Sequence, residues 1–154
     1  MQARINRKEV YRQFPALPQG LGLIGEAVKH TQLDPKLINL LEIRSSQINR
    51  CGFCLDMHIN ETLKLGENRQ RLDVLPAWRE VPWFSDKEKA ALNWCERLTN
   101  LNNNQVTDAD FEQMQQYFTD LEIIAITAAV IKINSWNRVV AAMHFVPSRQ
   151  DQAT

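Results

Sequence analysis

The sequence of 154 residues is long enough for one globular domain with a sizeable core and short for two. Eighteen basic residues balance eighteen acidic ones, so the chain lacks the excess positive charge that nucleic-acid binding usually needs. A hydrophobic share of 44% and a charged share of 23% are typical of a folded soluble protein. We therefore expect a single domain over residues 1–154, with a core at about 30–146 and no nucleic-acid partner.

The first thirty residues give only a weak helical pattern. Leu21, Ile24 and Val28 recur at helical spacing, but three nearby glycines lower the preference for helix. The charged N-terminus has no apolar run behind it and does not resemble a secretory signal. We expect a cytoplasmic protein, in which structural disulfides between its three cysteines would be rare.

Two long regions of the chain, 36–75 and 83–146, are free of proline, as long helices require. Asp34 before Pro35 is typical of a helix N-cap followed by proline in the first turn. A turn-rich bridge is expected at 72–84. Three later pairs have the spacing of capping boxes: Ser85 with Glu88, Thr107 with Asp110, and Thr119 with Glu122. Because period-two alternation is nearly absent, the sequence predicts an all-α fold.

The most apolar stretch is 123–146. It is interrupted by four polar residues, whereas a membrane-spanning helix needs ~20 largely apolar residues in a row. We interpret it as a buried helix and expect no membrane partner. Its apolar surface exceeds what one face of a domain of this size should cover, which predicts a homo-oligomer. For Trp136, Asn137 and Arg138 we expect roles in helix packing and subunit contacts rather than in catalysis, because polar groups within an apolar helix must be paired or face an interface. The interrupting residues are Lys132, Asn134, Asn137 and Arg138.

The residues most indicative of chemistry are Cys51, Cys54 and His58. At ~100° per residue, all three would lie on one stripe of a helix, about one turn apart. Gly52 and the polar residues before Cys51 suggest that a helix begins there, where unpaired N–H groups favour a thiolate. His58 could then serve as the base for the Cys54 thiol.

Two other interpretations of this motif fail on residues that they require. A haem-attachment site would need histidine directly after the second cysteine, where Leu55 stands. A thioredoxin-like motif would need a preceding strand, and none is indicated. Two alternatives stay open: inert buried cysteines, and a zinc site formed by the motif with Cys95, His144 or His30 as fourth ligand. Cys95 itself lies on an apolar helical face, which favours a buried inert thiol.

The segment from Ser46 to His58 resembles the active-site signature of the alkyl hydroperoxidase D-like branch of the carboxymuconolactone decarboxylase superfamily. The resemblance implies an all-helical fold, self-association into trimers or hexamers, and thiol-dependent reduction of hydroperoxides without a cofactor. Further landmarks of the same family span most of 30–145. They are Gly66-Glu67, Arg71, Trp78-Arg79, the segment from Phe84 to Glu88, and the segment from Ile133 to Arg138.

Carried over by position, Cys54 resembles the thiol that attacks peroxide and Cys51 the resolving thiol that forms the disulfide. His58 resembles a member of the proton relay. The implied partners are a hydroperoxide substrate and a thiol or dithiol reductant. Lactone decarboxylase activity agrees less well with the sequence than peroxidase activity, because a redox dithiol has no evident role in that reaction.

Two positions depart from the family pattern. The family glutamate twelve residues before the first cysteine is replaced by Asn39, which cannot accept a proton. Glu42 lies on nearly the same helix face and could replace it, in which case it should lie within hydrogen-bond reach of His58. Phe53 stands where some peroxidases of the family have histidine. These departures keep a second hypothesis open, a non-catalytic or metal-binding helical oligomer on the same scaffold.

Overall fold

A computed structural model describes residues 2–103 and 105–148 of the chain. The described residues form eight α-helices and one 3-10 helix, and no strand occurs among them. The predicted all-α fold is therefore confirmed. The expected domain runs to residue 154, and its last six residues lie outside the described part. The helices are α1 (Arg7–Gln13), α2 (Ala16–Lys29), α3 (Pro35–Ile48), α4 (Gly52–Lys64), α5 (Arg69–Val74), the 3-10 helix (Leu75–Glu80), α6 (Asp86–Thr99), α7 (Asp108–Gln115) and α8 (Asp120–Met143).

The predicted helix starts are confirmed at the level of individual hydrogen bonds. Asp34 caps α3 by accepting from the backbone N–H of Lys36. Each of the three predicted capping boxes is complete, with the hydroxyl accepting from the third residue of the helix and the acidic side chain accepting in return. They begin α6 at Ser85, α7 at Thr107 and α8 at Thr119.

The N-terminal region is more helical than its glycines suggest. It forms α1 and α2, and α2 packs along α8. A Cβ atom at Gly25 would lie 3.4 Å from Nζ of Lys132 on α8, an ordinary van der Waals contact. Tertiary packing here outweighs the weak intrinsic preference for helix.

The core is centred on α3, α6 and α8. Leu40, Leu41 and Ile43 of α3 are fully buried, as are Leu92 of α6 and Ile126 of α8. The bridge expected at 72–84 contains the end of α5 and the 3-10 helix, and it packs its Leu75 and Trp78 into the same core. A second, smaller apolar cluster forms around the two cysteines of the motif, where α1, α4 and α8 meet.

Helix α8 is long and apolar enough to cross a membrane by length and composition alone. The core helix of a soluble protein passes the same test, and 44% of the most apolar part of α8 is buried in the structure. It packs against α2, α3, α4, α6 and α7, in agreement with the expected core helix. One face remains exposed, and it carries Leu121, Ile124 and Ile131.

Candidate active site

The two cysteines of the motif lie at a sharp junction between α3 and α4. Helix α3 ends at Ile48, and Arg50 adopts a left-handed conformation (φ 56°) that reverses the chain. The backbone N–H of Cys51 donates to the carbonyl of Ser46, which closes the junction. Cys51 is then the N-cap of α4, so the predicted helix start at the motif is confirmed.

Side chains from α8 hold this junction in place. Asn49 donates to the side-chain oxygens of Asn134 and Asn137, at 2.9 and 2.8 Å. Asn137 in turn donates to the hydroxyl of Ser46 at 3.1 Å. These polar groups satisfy one another inside the protein, as buried polar groups must. The predicted packing role of Asn137 is therefore observed, and it fixes the position of the cysteines.

A disulfide joins Cys51 and Cys54, whose Cα atoms are 5.4 Å apart. That separation is within the range that a disulfide spans without moving the backbone. The Sγ atom of Cys51 accepts from the backbone N–H of Cys54 at 3.4 Å, in the position of a capping side chain. Both cysteines are buried, but each lines a surface cavity, so small reagents can approach them.

The two sulfur-bearing residues open onto different cavities. Cys54 lines a cavity of about 210 Å³ whose walls are largely aromatic. Cys51 lines another of about 240 Å³, between the start of α4 and the end of α8, where Asn49, Arg50 and His144 contribute polar groups. The two cavities share three lining residues and are therefore neighbours.

His58 lies one turn beyond Cys54 on α4 and is buried. Its Nδ1 atom lies 3.2 Å from a carboxylate oxygen of Glu42 on α3, the reach expected from the sequence, and 3.1 Å from one of Glu61 on α4. The contact with Glu61 has hydrogen-bond geometry, and it holds the pKa of Glu61 below its ordinary value. A Nδ1–H that donates to a carboxylate leaves Nε2 as the acceptor, the form of imidazole that can take a proton.

Lys132 supplies a positive charge next to the carboxylate of Glu42. Its Nζ lies 2.6 Å from the second carboxylate oxygen of Glu42, and both side chains are largely buried. The approach lacks hydrogen-bond directionality, so the contact is an ion pair. A buried carboxylate needs such a partner, since an unpaired buried charge is strongly disfavoured. Lys132 thereby places a cation beside the carboxylate that contacts His58.

The imidazole and its partners line a third cavity, of about 470 Å³. Asn39 lines it as well, at the position of the family glutamate, so Asn39 and Glu42 face the same space. Met57 and Trp136 line both this cavity and that of Cys54. The cavity of the acid–base cluster and that of Cys54 are therefore neighbours.

The structure joins Cys51 to Cys54 and places Glu42 beside His58, and three further residues lie at these sites. Glu61 could have been found from its i+3 spacing to His58 on one helix. Lys132 was visible only as a cation in an apolar helix, and its partner is ninety positions away in the sequence. Trp136, expected to serve packing, also lines the two cavities.

The remaining cysteine is separate from this site. Cys95 is fully buried on α6, where its thiol lies 3.1 Å from the hydroxyl of Ser45. Burial raises the pKa of Cys95 to about 11, in agreement with an inert thiol. Within 2–103 and 105–148, no three His, Cys, Asp or Glu side chains are arranged as metal ligands. The geometry thus gives the zinc alternative no support.

Comparison with known proteins relates this chain to one family. Residues 15–97 match the model of the carboxymuconolactone decarboxylase family. An uncharacterized Bacillus subtilis protein, YdfG, is 33% identical over 133 residues, which cover 84% of this chain and 90% of YdfG.

Two solved structures have the same fold. ATU0492 from Agrobacterium tumefaciens, a protein of unknown function ascribed to antioxidant defence as an AhpD, matches with a TM-score of 0.89 and 30% identity. The match covers 97% of this chain and 100% of that one. The debrominase Bmp8, solved with 2,3,4-tribromopyrrole, matches with a TM-score of 0.77 over 88% of this chain and 73% of its own. Its identity of 17% indicates a shared fold only.

Proposed function

The chain belongs to the carboxymuconolactone decarboxylase family, in its alkyl hydroperoxidase D-like branch, and on that premise we propose that it is a thiol-dependent peroxidase. The Cys51–Cys54 pair is the reducing group, and His58 moves the proton. The observation that carries the proposal is a dithiol at disulfide distance whose second member lines a cavity, with a buried imidazole one helical turn away. The disulfide in the structure is the product that such a reaction leaves.

The first step oxidises Cys54. Its sulfur attacks the terminal oxygen of the hydroperoxide, an S–O bond forms as the O–O bond breaks, and Cys54 becomes a sulfenic acid. His58 takes the thiol proton and passes it to the leaving alkoxide, which departs as an alcohol. The N-terminus of α4 favours the thiolate, because its unpaired N–H groups and dipole stabilise negative charge.

The second step closes the disulfide. The Cys51 sulfur attacks the sulfenic sulfur, an S–S bond forms, and the hydroxyl leaves as water with the Cys51 proton. One hydroperoxide and two thiols thereby become one alcohol, one water and one disulfide. A thiol or dithiol reductant restores the dithiol by exchange and is itself oxidised to a disulfide. The cavity that Cys51 lines supports entry of this reductant at the resolving thiol.

Glu42 replaces the carboxylate that the family has at the position of Asn39. Its contact with Nδ1 of His58 supports this role, as does the ion pair with Lys132. Glu42 and Glu61 both act as positioning residues, because they orient the imidazole rather than touch the reacting sulfur.

The proposal extends to assembly and location. The exposed apolar face of α8 supports a homo-oligomer, with trimers or hexamers as the implied states. A dithiol that must be reduced after every turnover suits a reducing compartment, which supports the cytoplasm. Nucleic acid and membrane are not among the proposed partners.

The assignment of the two thiols is tested by replacing each of them with serine. Cys54→Ser should abolish consumption of hydroperoxide. Cys51→Ser should still permit one oxidation and then stall with a sulfenic or over-oxidised Cys54, which mass spectrometry detects. If Cys51→Ser alone abolished the first oxidation, the two roles would be reversed. If wild-type protein consumed no hydroperoxide, the second hypothesis, a non-catalytic or metal-binding oligomer, would replace this one.

A further inference from the structure

Helix α1 forms one wall of the cavity in front of Cys54. It lies outside the part of the chain that matches the family model, and specific contacts hold it near the end of α8. Val10 is buried in the apolar cluster around the cysteines. Just before α1, Arg4 donates to the carbonyls of Ala141 and Ala142 at the end of α8, at 3.1 and 3.0 Å. Free carbonyls at a helix C-terminus favour a cation there, so this contact stabilises the position of α1.

The walls of this cavity include two aromatic pairs. Tyr11 of α1 lies against Trp136 of α8, with ring centroids 6.1 Å apart. Phe53 lies edge-on to Phe145, with centroids 5.8 Å apart. Aliphatic side chains of α8, including the buried Ile133, complete the lining. A flat apolar group can pack against rings in such arrangements.

The volume of the cavity limits the size of that group. It is about 210 Å³, whereas an apolar cavity of ~150 Å³ holds a benzene molecule. One aromatic ring with a short substituent therefore fits. Hydrogen peroxide would leave the aromatic lining without a partner.

Arg7 is the only charged side chain among the described residues that line this cavity. Its guanidinium lies 5.9 Å from the centre of the Phe53 ring, and the residue is exposed. Within the described chain it makes no ion pair, unlike Arg12 of the same helix, which pairs with Glu9. A guanidinium above an apolar cavity can bind the carboxylate of a ligand whose body lies inside.

We propose that this cavity selects a hydroperoxide built on a single aromatic ring that carries an acidic group. The ring lies among the aromatic walls, the peroxide group meets Cys54, and the acidic group pairs with Arg7. This inference rests on the proposed peroxidase function and adds the class of substrate. Met57 and Trp136 also line the cavity of the acid–base cluster, so His58 lies in a neighbouring cavity.

The test compares the oxidation rate of Cys54 in reduced protein by cumene hydroperoxide, its para-carboxylate derivative and tert-butyl hydroperoxide. Both aromatic compounds should react faster than tert-butyl hydroperoxide, and the carboxylate fastest. Arg7→Gln should lower the rate ratio of carboxylate to parent compound by up to about fivefold, the upper range for an exposed ion pair. The matched control Lys8→Gln, a neighbouring exposed cation, should leave that ratio unchanged.

Binding is measured separately with 4-isopropylbenzoate, which has the same ring and carboxylate but no peroxide. It should quench tryptophan fluorescence and slow oxidation competitively, and its affinity should fall in Arg7→Gln but not in Lys8→Gln. Equal rates for all three hydroperoxides, or equal effects of the two variants, would overturn the substrate class and leave the peroxidase intact. If no hydroperoxide oxidised Cys54, the proposed function itself would fail. The binding measurement would still show whether the cavity binds an aromatic carboxylate through Arg7.

Discussion

His58 owes its orientation to two carboxylates that meet the same ring nitrogen. Glu42 approaches from α3 and Glu61 from its own helix, at 3.2 and 3.1 Å from Nδ1. Glu42 is nearly inaccessible to solvent, whereas about half of the Glu61 side chain is exposed. Since solvent weakens an exposed contact, Glu42 should have the larger influence on the imidazole.

We predict that Glu42→Gln slows the oxidation of Cys54 by about 10²-fold, the scale of losing a positioned acid–base group. The pH dependence of the rate should change with it, which a purely structural effect would not produce. Stopped-flow measurement of thiol oxidation across a pH series checks both. Glu112→Gln, an exposed glutamate on α7, is the control, and Asn39→Glu should raise the rate. Unchanged rate and pH profile in Glu42→Gln would leave Cys54 activated by His58 and the helix terminus alone.

Helical arithmetic was enough to select Glu42, because three residues on a helix place two side chains on nearly one face. It could not select Lys132, since that pairing depends on how α3 and α8 pack. The direction of the Glu42 side chain likewise depends on how α3 and α8 pack. The carboxylate turns towards His58 in a structure where Lys132 also reaches it. Local spacing therefore predicts candidates, and tertiary packing decides which of them meet.

At the scale of helices, Glu96 joins three elements away from the dithiol. Its carboxylate accepts from Arg44 of α3 and from Trp78 and Arg79 of the 3-10 helix. Burial alone would raise the pKa of Glu96, but these hydrogen bonds outweigh it and hold the pKa below its ordinary value. The stabilisation is therefore present above the ordinary value of 4.5 and is lost as pH falls through the lower folded-state pKa.

We predict that Glu96→Gln lowers the free energy of unfolding by about 3 kcal/mol at neutral pH, because Arg44 is left largely buried without a counter-charge. The loss should shrink in acid, where wild-type Glu96 is itself protonated. Urea denaturation at several pH values measures both effects. Glu80→Gln, an exposed neighbour, should change stability by less than about 0.5 kcal/mol. If Glu96→Gln lowered the free energy of unfolding as little as Glu80→Gln, the hydrogen bonds of Glu96 would not stabilise the fold as proposed.

The beginnings of the helices were predictable and the bridge was less so. A capping box needs only four residues in sequence, and those at Ser85, Thr107 and Thr119 formed as expected. The 3-10 helix at Leu75–Glu80 depends on contacts such as that of Trp78 with Glu96, which no local pattern contains. The helicity of α2 likewise depends on its packing against α8.

At the scale of the whole molecule, the exposed face of α8 is the main feature that one chain leaves without a partner. Leu121, Ile124 and Ile131 recur at spacings of three and seven, as in helices that pack against one another. Burying them between copies would remove apolar surface from water at ~25 cal/mol per Å².

We predict that Ile124→Lys shifts the protein towards monomers, because a charge would be buried in the contact. Light scattering should then give a mass near 17.8 kDa, against a multiple of that value for wild type. Leu101→Lys, a similarly exposed apolar residue outside α8, is the control and should leave the assembly unchanged. A wild-type mass near 17.8 kDa across micromolar concentrations would contradict the predicted oligomer.

The central claim is that Cys51 and Cys54 form a redox dithiol, and the intact mass of the protein tests it most directly. Fully reduced protein is treated with one equivalent of hydroperoxide, and mass and free thiols are measured before and after. We predict the loss of two hydrogens, mapped to a Cys51–Cys54 disulfide, while Cys95 remains a free thiol. An unchanged mass with all three thiols still titratable would contradict the claim.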